Sequence, residues 1–377
     1  MKKFNSIFIG LLLICGLHGQ AQAARFWGQS PQLNNQGHVV WHGHHQGDRE
    51  IFIHDDSGEA IRLTDNEAPD HAPQINNRGQ MVWHGHDGND HEIFLLNPQG
   101  EPIQLTDNAT DDQLPQINHH GWVVWEGFDG NDREIFLYRG YGQPIQITDN
   151  DYDDFGPRIN RRGDVVWTGK ADNDLEIFLY RGYGRVMQVT DNDFDDYNPQ
   201  INTNGWLVWQ GDDGDDFEIF QYQGRRHANC RRHKNCGRVV QLTDNESDDR
   251  SPQINDRGWI VWESGVGNNK EILLRKSKKK TIQLTDNDVE DYGPRINNKG
   301  WVVWTGFDGN DHEIFMHNKH EGVMQLSDND YDDYEPQING QGQVAWGAQN
   351  GFSNEIWRAS SPGVLLWSSD PNAIMYS

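Results

Sequence analysis

Apolar residues along this chain come in short runs bounded by polar turns. Around the middle of the sequence the runs are Trp122-Val-Val-Trp125, Ile135-Phe-Leu-Tyr138 and Ile145-Gln-Ile147. Gly, Asn and Asp separate them, as in Gly127-Phe-Asp-Gly-Asn-Asp132. Runs this short, rich in β-branched and aromatic residues, predict strands joined by tight turns rather than helices. Four such strands follow one another: a (Gln-Ile-Asn), b (Val-Val-Trp), c (Glu-Ile-Phe-Leu) and d (Ile-Gln-Leu-Thr).

The four-strand pattern repeats. Units begin at Pro31, Pro73, Pro115, Pro157, Pro199, Pro252, Pro294 and Pro336, at intervals of 42 residues with one of 53. The repeats fill residues 31–377, which leaves no room for a separate catalytic domain. Four-stranded units of this length predict an all-β, eight-bladed β-propeller of four-stranded antiparallel blades. One such sheet cannot cover both of its faces, whereas a closed ring of them can. The last unit is degenerate, with Val364-Leu-Leu-Trp367 in place of the usual strand d, and Arg25-Phe-Trp27 could add an edge strand there. Seven blades plus an irregular terminal unit is the alternative.

The run Asp-Gly-Asn-Asp-x-Glu-Ile-Phe, followed by Gln-Leu-Thr-Asp-Asn, a proline and a glycine turn, resembles the WD40-like (PD40) repeat of TolB-type β-propellers. The resemblance covers all eight units. Strand a departs from it, with Ile-Asn-x-x-Gly where that family has Trp-Ser-Pro-Asp-Gly. The N-terminal α/β domain of TolB has no counterpart here, so the resemblance implies the fold and not TolB's role in its envelope complex.

Residues that recur in every unit read as scaffold, because an active site is usually made once. Strand b ends in Trp41, Trp83, Trp125, Trp167, Trp209, Trp262, Trp304 and Trp346, which we expect to fill the space between blades. Strand c opens with Glu50, Glu92, Glu134, Glu176, Glu218, Glu271, Glu313 and Glu355, expected to be repeated hydrogen-bond acceptors. Glycosidases, by contrast, use one carboxylate pair.

Composition adds compartment and charge. Residues 1–23 carry the marks of a secretory signal: Lys2 and Lys3, an apolar stretch from Ile7 to Leu17, and Ala21-Gln22-Ala23 as cleavage site. The stretch is too short to span a bilayer. The mature chain, 24–377, is thus expected to be a single propeller domain, periplasmic or secreted, monomeric and not membrane-spanning. Cys230 and Cys236 then remain and are expected to form one local disulfide. The formal charge of −26 argues against nucleic acid as a partner.

In an up-and-down blade the b–c and d–a connections share one end, and the a–b and c–d turns share the other. The d–a loops are acidic. Asp149, Asp151 and Asp153 alternate as oxygen ligands do in calcium loops, and so do Asp191, Asp193, Asp195 and Asp328, Asp330, Asp332. Calcium is the cofactor they suggest. Asx turns are the plainer alternative, since Asp and Asn in tight loops cap backbone amides. The other end carries Arg78, Arg161, Arg162, Arg257 and Lys299. On that side falls the insertion Arg225-Arg226-His227-Ala-Asn-Cys230-Arg231-Arg232-His233-Lys-Asn-Cys236, a tandem duplication suited to grip anions. Arg158 and Arg295 interrupt a series of strand a glutamines: Gln74, Gln116, Gln200 and Gln253. The expected function is an exported, non-catalytic binding module for a polysaccharide or envelope protein. Two alternatives are a polysaccharide lyase or hydrolase using the central channel, and a scaffold in a TolB-like envelope complex.

Overall fold

A computed structural model describes residues 27–55, 59–182, 184–224, 237–267, 269–277, 280–349, 354–360 and 364–368. Among these the secondary structure is β throughout, in eight four-stranded antiparallel sheets whose strand order follows the chain. Blades are numbered 1–8 along the chain and their strands a–d from the axis outward. Blade 3 comprises strands Asp112–Ile117, Val123–Phe128, Arg133–Tyr138 and Ile145–Gln146.

The ring is closed. Strand a of each blade touches strand a of the next, and blade 8 touches blade 1 in the same way. The repeated Asn of strand a explains the closure chemically. Asn118 Nδ2 donates to the Asn160 carbonyl at 3.1 Å, and Asn160 Nδ2 to the Asn202 carbonyl at 3.0 Å. The series runs through every blade and ends with Asn339 donating to the Asn34 carbonyl at 2.9 Å. Each Asn thus adds a second donor to a buried carbonyl of its neighbour, which already accepts the glycine N–H of its own a–b turn. Val39, Trp41 and Phe52 of blade 1 meet Ala345 and Ile356 of blade 8, so an apolar seam seals the same joint.

Blade 8 is complete, with strands Asp332–Ile338, Val344–Gln349, Asn354–Ser360 and Val364–Ser368. Val364–Ser368 is its strand d, and the eight-bladed expectation holds over the seven-bladed alternative. Trp27 does not extend that sheet. It opens strand a of blade 1, Trp27–Leu33, paired with Val39–His45.

The tryptophans do what recurrence implied. Trp167 is fully buried, lies on Phe178 at 5.9 Å, and meets Val124, Ile135 and Leu137 of the preceding blade. Its indole N–H donates to Asp154 Oδ1 at 2.7 Å, so the polar edge is satisfied inside the seam. The same Asp explains the Trp-x-Gly of strand b: a Cβ at Gly169 would collide with the Asp154 carboxylate. The strand c glutamates are acceptors, as expected. Glu134 Oε1 receives the Asn150 backbone N–H at 2.7 Å and ties the d–a loop to the blade.

Candidate functional site

Two places on the disc combine chemistry with access: the axial channel and the end formed by the b–c and d–a connections.

Strand a lines the axis and is irregular in every blade. A bulge precedes its proline, and seven residues there have left-handed backbone: Ala72, Leu114, Gly156, Asn198, Ser251, Gly293 and Glu335. A bulge bends a strand and re-aims its side chains. Strand b of the preceding blade anchors it: Glu126 accepts the Gly156 N–H, Gln210 that of Ser251, and Glu263 that of Gly293, all near 2.9–3.0 Å. Just after the bulge, six blades place Gln and two place Arg158 and Arg295. Burial pushes the Arg158 guanidinium below its ordinary value, and Arg295 adds to the depression. Burial depresses Arg295 as well, while Glu335 and Glu263 partly offset it. Neither arginine has a carboxylate within salt-bridge distance among the described residues.

The channel opens at the a–b turns into a cavity of about 450 Å³. Its wall is Ile117 and its counterparts, and its rim is the residue after each ring Asn, among them Asn35, Asn77, His119, Arg161 and Asp256. Several rim residues are linked, as where Asn35 N–H donates to Asn77 Oδ1 at 2.8 Å and Asp256 N–H to Asn298 Oδ1 at 2.8 Å. This mouth is polar, hydrogen-bonding and rigid.

The opposite end holds the carboxylates. The third Asp of each d–a loop caps the start of strand c: Asp153 Oδ1 accepts the Arg133 N–H, Asp195 that of Leu175, and Asp332 that of His312, at 2.9–3.0 Å. Asn150 between them folds the loop, accepting the Tyr152 N–H and donating to Asp154. Of the nine aspartates singled out by alternation, only Asp328 belongs to a group of carboxylates whose oxygens converge. The others are Asp149, Asp151, Asp191, Asp193 and Asp330 with the three caps, so a third of the alternating aspartates serve as loop caps. The Arg225–Cys236 insertion, with Arg226, His227, Cys230, Arg231, Arg232 and His233, lies outside the described residues.

One cluster escaped the sequence reading. His42, His71 and His84 stand ring to ring at the inner edge of blades 1 and 2, with separations of 5.6 and 5.4 Å. His91 lies 5.5 Å from His84 and is 2.9 Å from Asp111. Burial, then neighbouring cationic groups, lowers His42 and His71 to about 4 and His84 to about 3. His84 stands at the strand b position of Glu126, which no repeat consensus marks. The His-Gly-His motifs at 42–44 and 84–86 were the available signal.

No family model matches the chain, and no curated protein does. Solved structures do. Porphyromonas gingivalis dipeptidyl peptidase 4 matches with a TM-score of 0.67 at 10% identity over 93% of this chain and 60% of that one. A puromycin-hydrolyzing peptidase of Mycobacterium tuberculosis gives 0.58 at 12% identity over 87% of this chain and 60% of that one. A puromycin hydrolase S511A mutant gives 0.59 at 14% identity over 87% and 58%. The chain therefore spans about three fifths of the length of these structures, and what it shares with them is the eight-bladed propeller fold.

Proposed function

We propose that this protein is an exported, non-catalytic propeller that binds an acidic polysaccharide in its axial channel. The observation that supports it is the replacement of Gln by Arg158 and Arg295 at two of eight equivalent channel positions, with no ion pair made by either. Gln amides suit sugar hydroxyls, and guanidinium groups suit uronate carboxylates, which they grip in bidentate fashion. The cavity of about 450 Å³ at the a–b mouth, lined by Ile159 next to Arg158 and Ile296 next to Arg295 rather than by the arginines themselves, lies within the range of small-ligand sites. The net charge of −26 does not oppose this, because a local cationic patch sets the field in a narrow channel.

The decisive experiment is calorimetric titration with oligogalacturonides and with their neutral methyl esters. R158Q/R295Q restores the residue that six blades already carry, so the fold survives it. We expect it to weaken acid-oligomer binding at least tenfold, the size of one lost charge-assisted contact. Equal affinity in wild type and variant, or equal affinity for the methyl esters, removes this reading.

The likeness to propellers of hydrolases favours a second reading, a polysaccharide lyase or hydrolase working in the channel. Chromatography of the titrated oligomers separates the two, since shortened products belong to the enzyme. The TolB-type repeat layout supports a scaffold in an envelope complex, which cross-linking in intact cells would show.

A further inference from the structure

The b–c hairpins fall into two kinds. In blades 2, 3, 5 and 7 they read Asp87-Gly-Asn-Asp90, Asp129-Gly-Asn-Asp132, Asp213-Gly-Asp-Asp216 and Asp308-Gly-Asn-Asp311. The first Asp closes the turn on itself: Asp129 N–H donates to the Asp132 carbonyl at 3.1 Å, and Asp129 Oδ1 accepts the Asn131 and Asp132 N–H groups. Blades 1, 4 and 6 place His45, Ala171 and Val266 at that position. There the ladder runs on to His45–Asp48, Ala171–Asp174 and Val266–Asn269, leaving a two-residue turn.

Carboxylate oxygens converge in the first kind and not in the second. Oxygens of Asp129, Asp132 and Glu134 lie within 4.8 Å of one another. So do those of Asp87, Glu92 and Asp107, of Asp213, Glu218 and Asp244, and of Asp308, Glu313 and Asp328. The clusters contain buried acids without partners. Asp132 is 8% exposed, and neither of its oxygens has a hydrogen-bond donor; in blades 2 and 5 the buried Glu92 and Glu218 each leave Oε2 without a donor, and Asp90 and Asp311 are buried and unpaired beside the converging groups rather than in them. Glu134 beside Asp132 is fully buried, and its Oε1 holds the Asn150 amide. In the hairpins that lack the first Asp, Asp48 and Asp174 are half-exposed instead. Bringing three carboxylates together out of water without donors is costly unless a cation compensates them. Like-charge repulsion shows in the same groups: burial first, then Asp129, raises Asp132, and burial and Asp308 raise Asp311.

We propose that each of these four hairpins binds a calcium ion through the first aspartate of the Asp-Gly-x-Asp turn and the glutamate that opens strand c, joined by the second turn aspartate in blade 3 and by the first aspartate of the d–a loop in blades 2, 5 and 7. The donors are all carboxylate oxygens on a short, adaptable turn, and calcium accepts six to eight oxygens in flexible geometry, whereas magnesium demands a near-ideal octahedron. Water and turn carbonyls complete the shell. The ion neutralises a cluster that otherwise repels itself and locks the b–c hairpin to the d–a loop. The hairpins lie at the opposite end of the disc from the cavity mouth, so calcium here is independent of what the channel binds.

The test uses the full chain, stripped with chelator and titrated with calcium chloride by calorimetry and native mass spectrometry. Up to four ions should bind, with a rise in Tm of about 5 °C or more at millimolar calcium and a much smaller rise with magnesium. D87A/D129A/D213A/D308A gives each hairpin the residue blade 4 already carries, and should lose at least about 100-fold in calcium affinity. D129A alone should remove one ion, which serves if the quadruple variant fails to fold. D151N/D193N/D330N, in the d–a loops, should bind as wild type does. No bound ion at millimolar calcium, full binding in the hairpin variants, or loss in the d–a loop variant overturns the proposal.

Discussion

Blades 3 and 4 share one scaffold and differ at positions that include three with chemistry of their own. Their tryptophans, Trp125 and Trp167, lie on Phe136 and Phe178 at the same 5.9 Å and donate to Asp112 and Asp154 at the same 2.7 Å. Their ring asparagines, Asn118 and Asn160, make the same bond to the next blade. They differ where Gln116 becomes Arg158 in the channel, where Glu126 becomes Thr168 in strand b, and where Asp129 becomes Ala171 in the hairpin. Identical positions hold the ring together. The exceptions carry the chemistry, because a packing solution that works eight times leaves the remaining positions free to vary.

The largest effect should fall on the shared part. Trp125→Ala and Trp167→Ala should each cost about 3–5 kcal/mol, the usual range for a large aromatic removed from a core. Chemical denaturation measures both, and unequal costs would break the equivalence of the two blades. Next comes the asparagine ring. Asn160→Ala removes one of the two donors to the Asn202 carbonyl and the acceptor of the Arg162 and Asp164 N–H groups, for about 1–3 kcal/mol. Asn118→Ala should match it.

Acid sharpens the comparison through blade 2, where His84 replaces Glu126. A histidine whose folded value lies below the ordinary 6.5 binds protons more weakly folded than unfolded. Its contribution to stability is therefore complete above pH 6.5 and is lost as pH falls toward 4, the value to which His42 and His71 are lowered. Glu50, Glu92, Glu134, Glu176 and Glu218, which burial raises to about 7, act in the opposite sense over the same window, so the comparison of variant with wild type by denaturant midpoint is decisive: His84→Gln, the residue blade 5 carries as Gln210, should be more stable relative to wild type at pH 4 than at pH 7. A difference between variant and wild type that does not change with pH would show that the cluster is accessible to protons. The smallest effect on stability belongs to Arg158→Gln. Removing a cation that makes no ion pair should change stability by less than about 1 kcal/mol, or raise it, while acid-oligomer binding weakens. A large loss of stability would make Arg158 a structural residue.

Much of this was legible beforehand. The 42-residue period, the four strands, the seam tryptophans and the accepting glutamates followed from recurrence, which separates scaffold from exception within one chain. The candidate sites were legible only in part. Arg158 and Arg295 stood out as breaks in a glutamine series. The alternation at Asp149, Asp151 and Asp153 looked like a calcium loop, yet Asp153 is committed to the Arg133 amide. Asp132, which neighbours Arg133 in sequence, is buried among acids that lie 3 residues before and 2 after it. Alternation along a loop does not say which oxygens converge.

Local physics therefore fixed the period, the strand identities and the turn positions, since side-chain alternation and glycine-dependent turns act over a few residues and are written in order along the chain. The closure of the ring at eight, the burial of Arg158 and Arg295, the grouping of His42, His71 and His84, and the convergence of Asp129, Asp132 and Glu134 were decided by tertiary structure. Each depends on the angle between neighbouring sheets or on how a hairpin folds back over the next loop. Such distances belong to the assembled disc, where blades far apart in sequence share one axis.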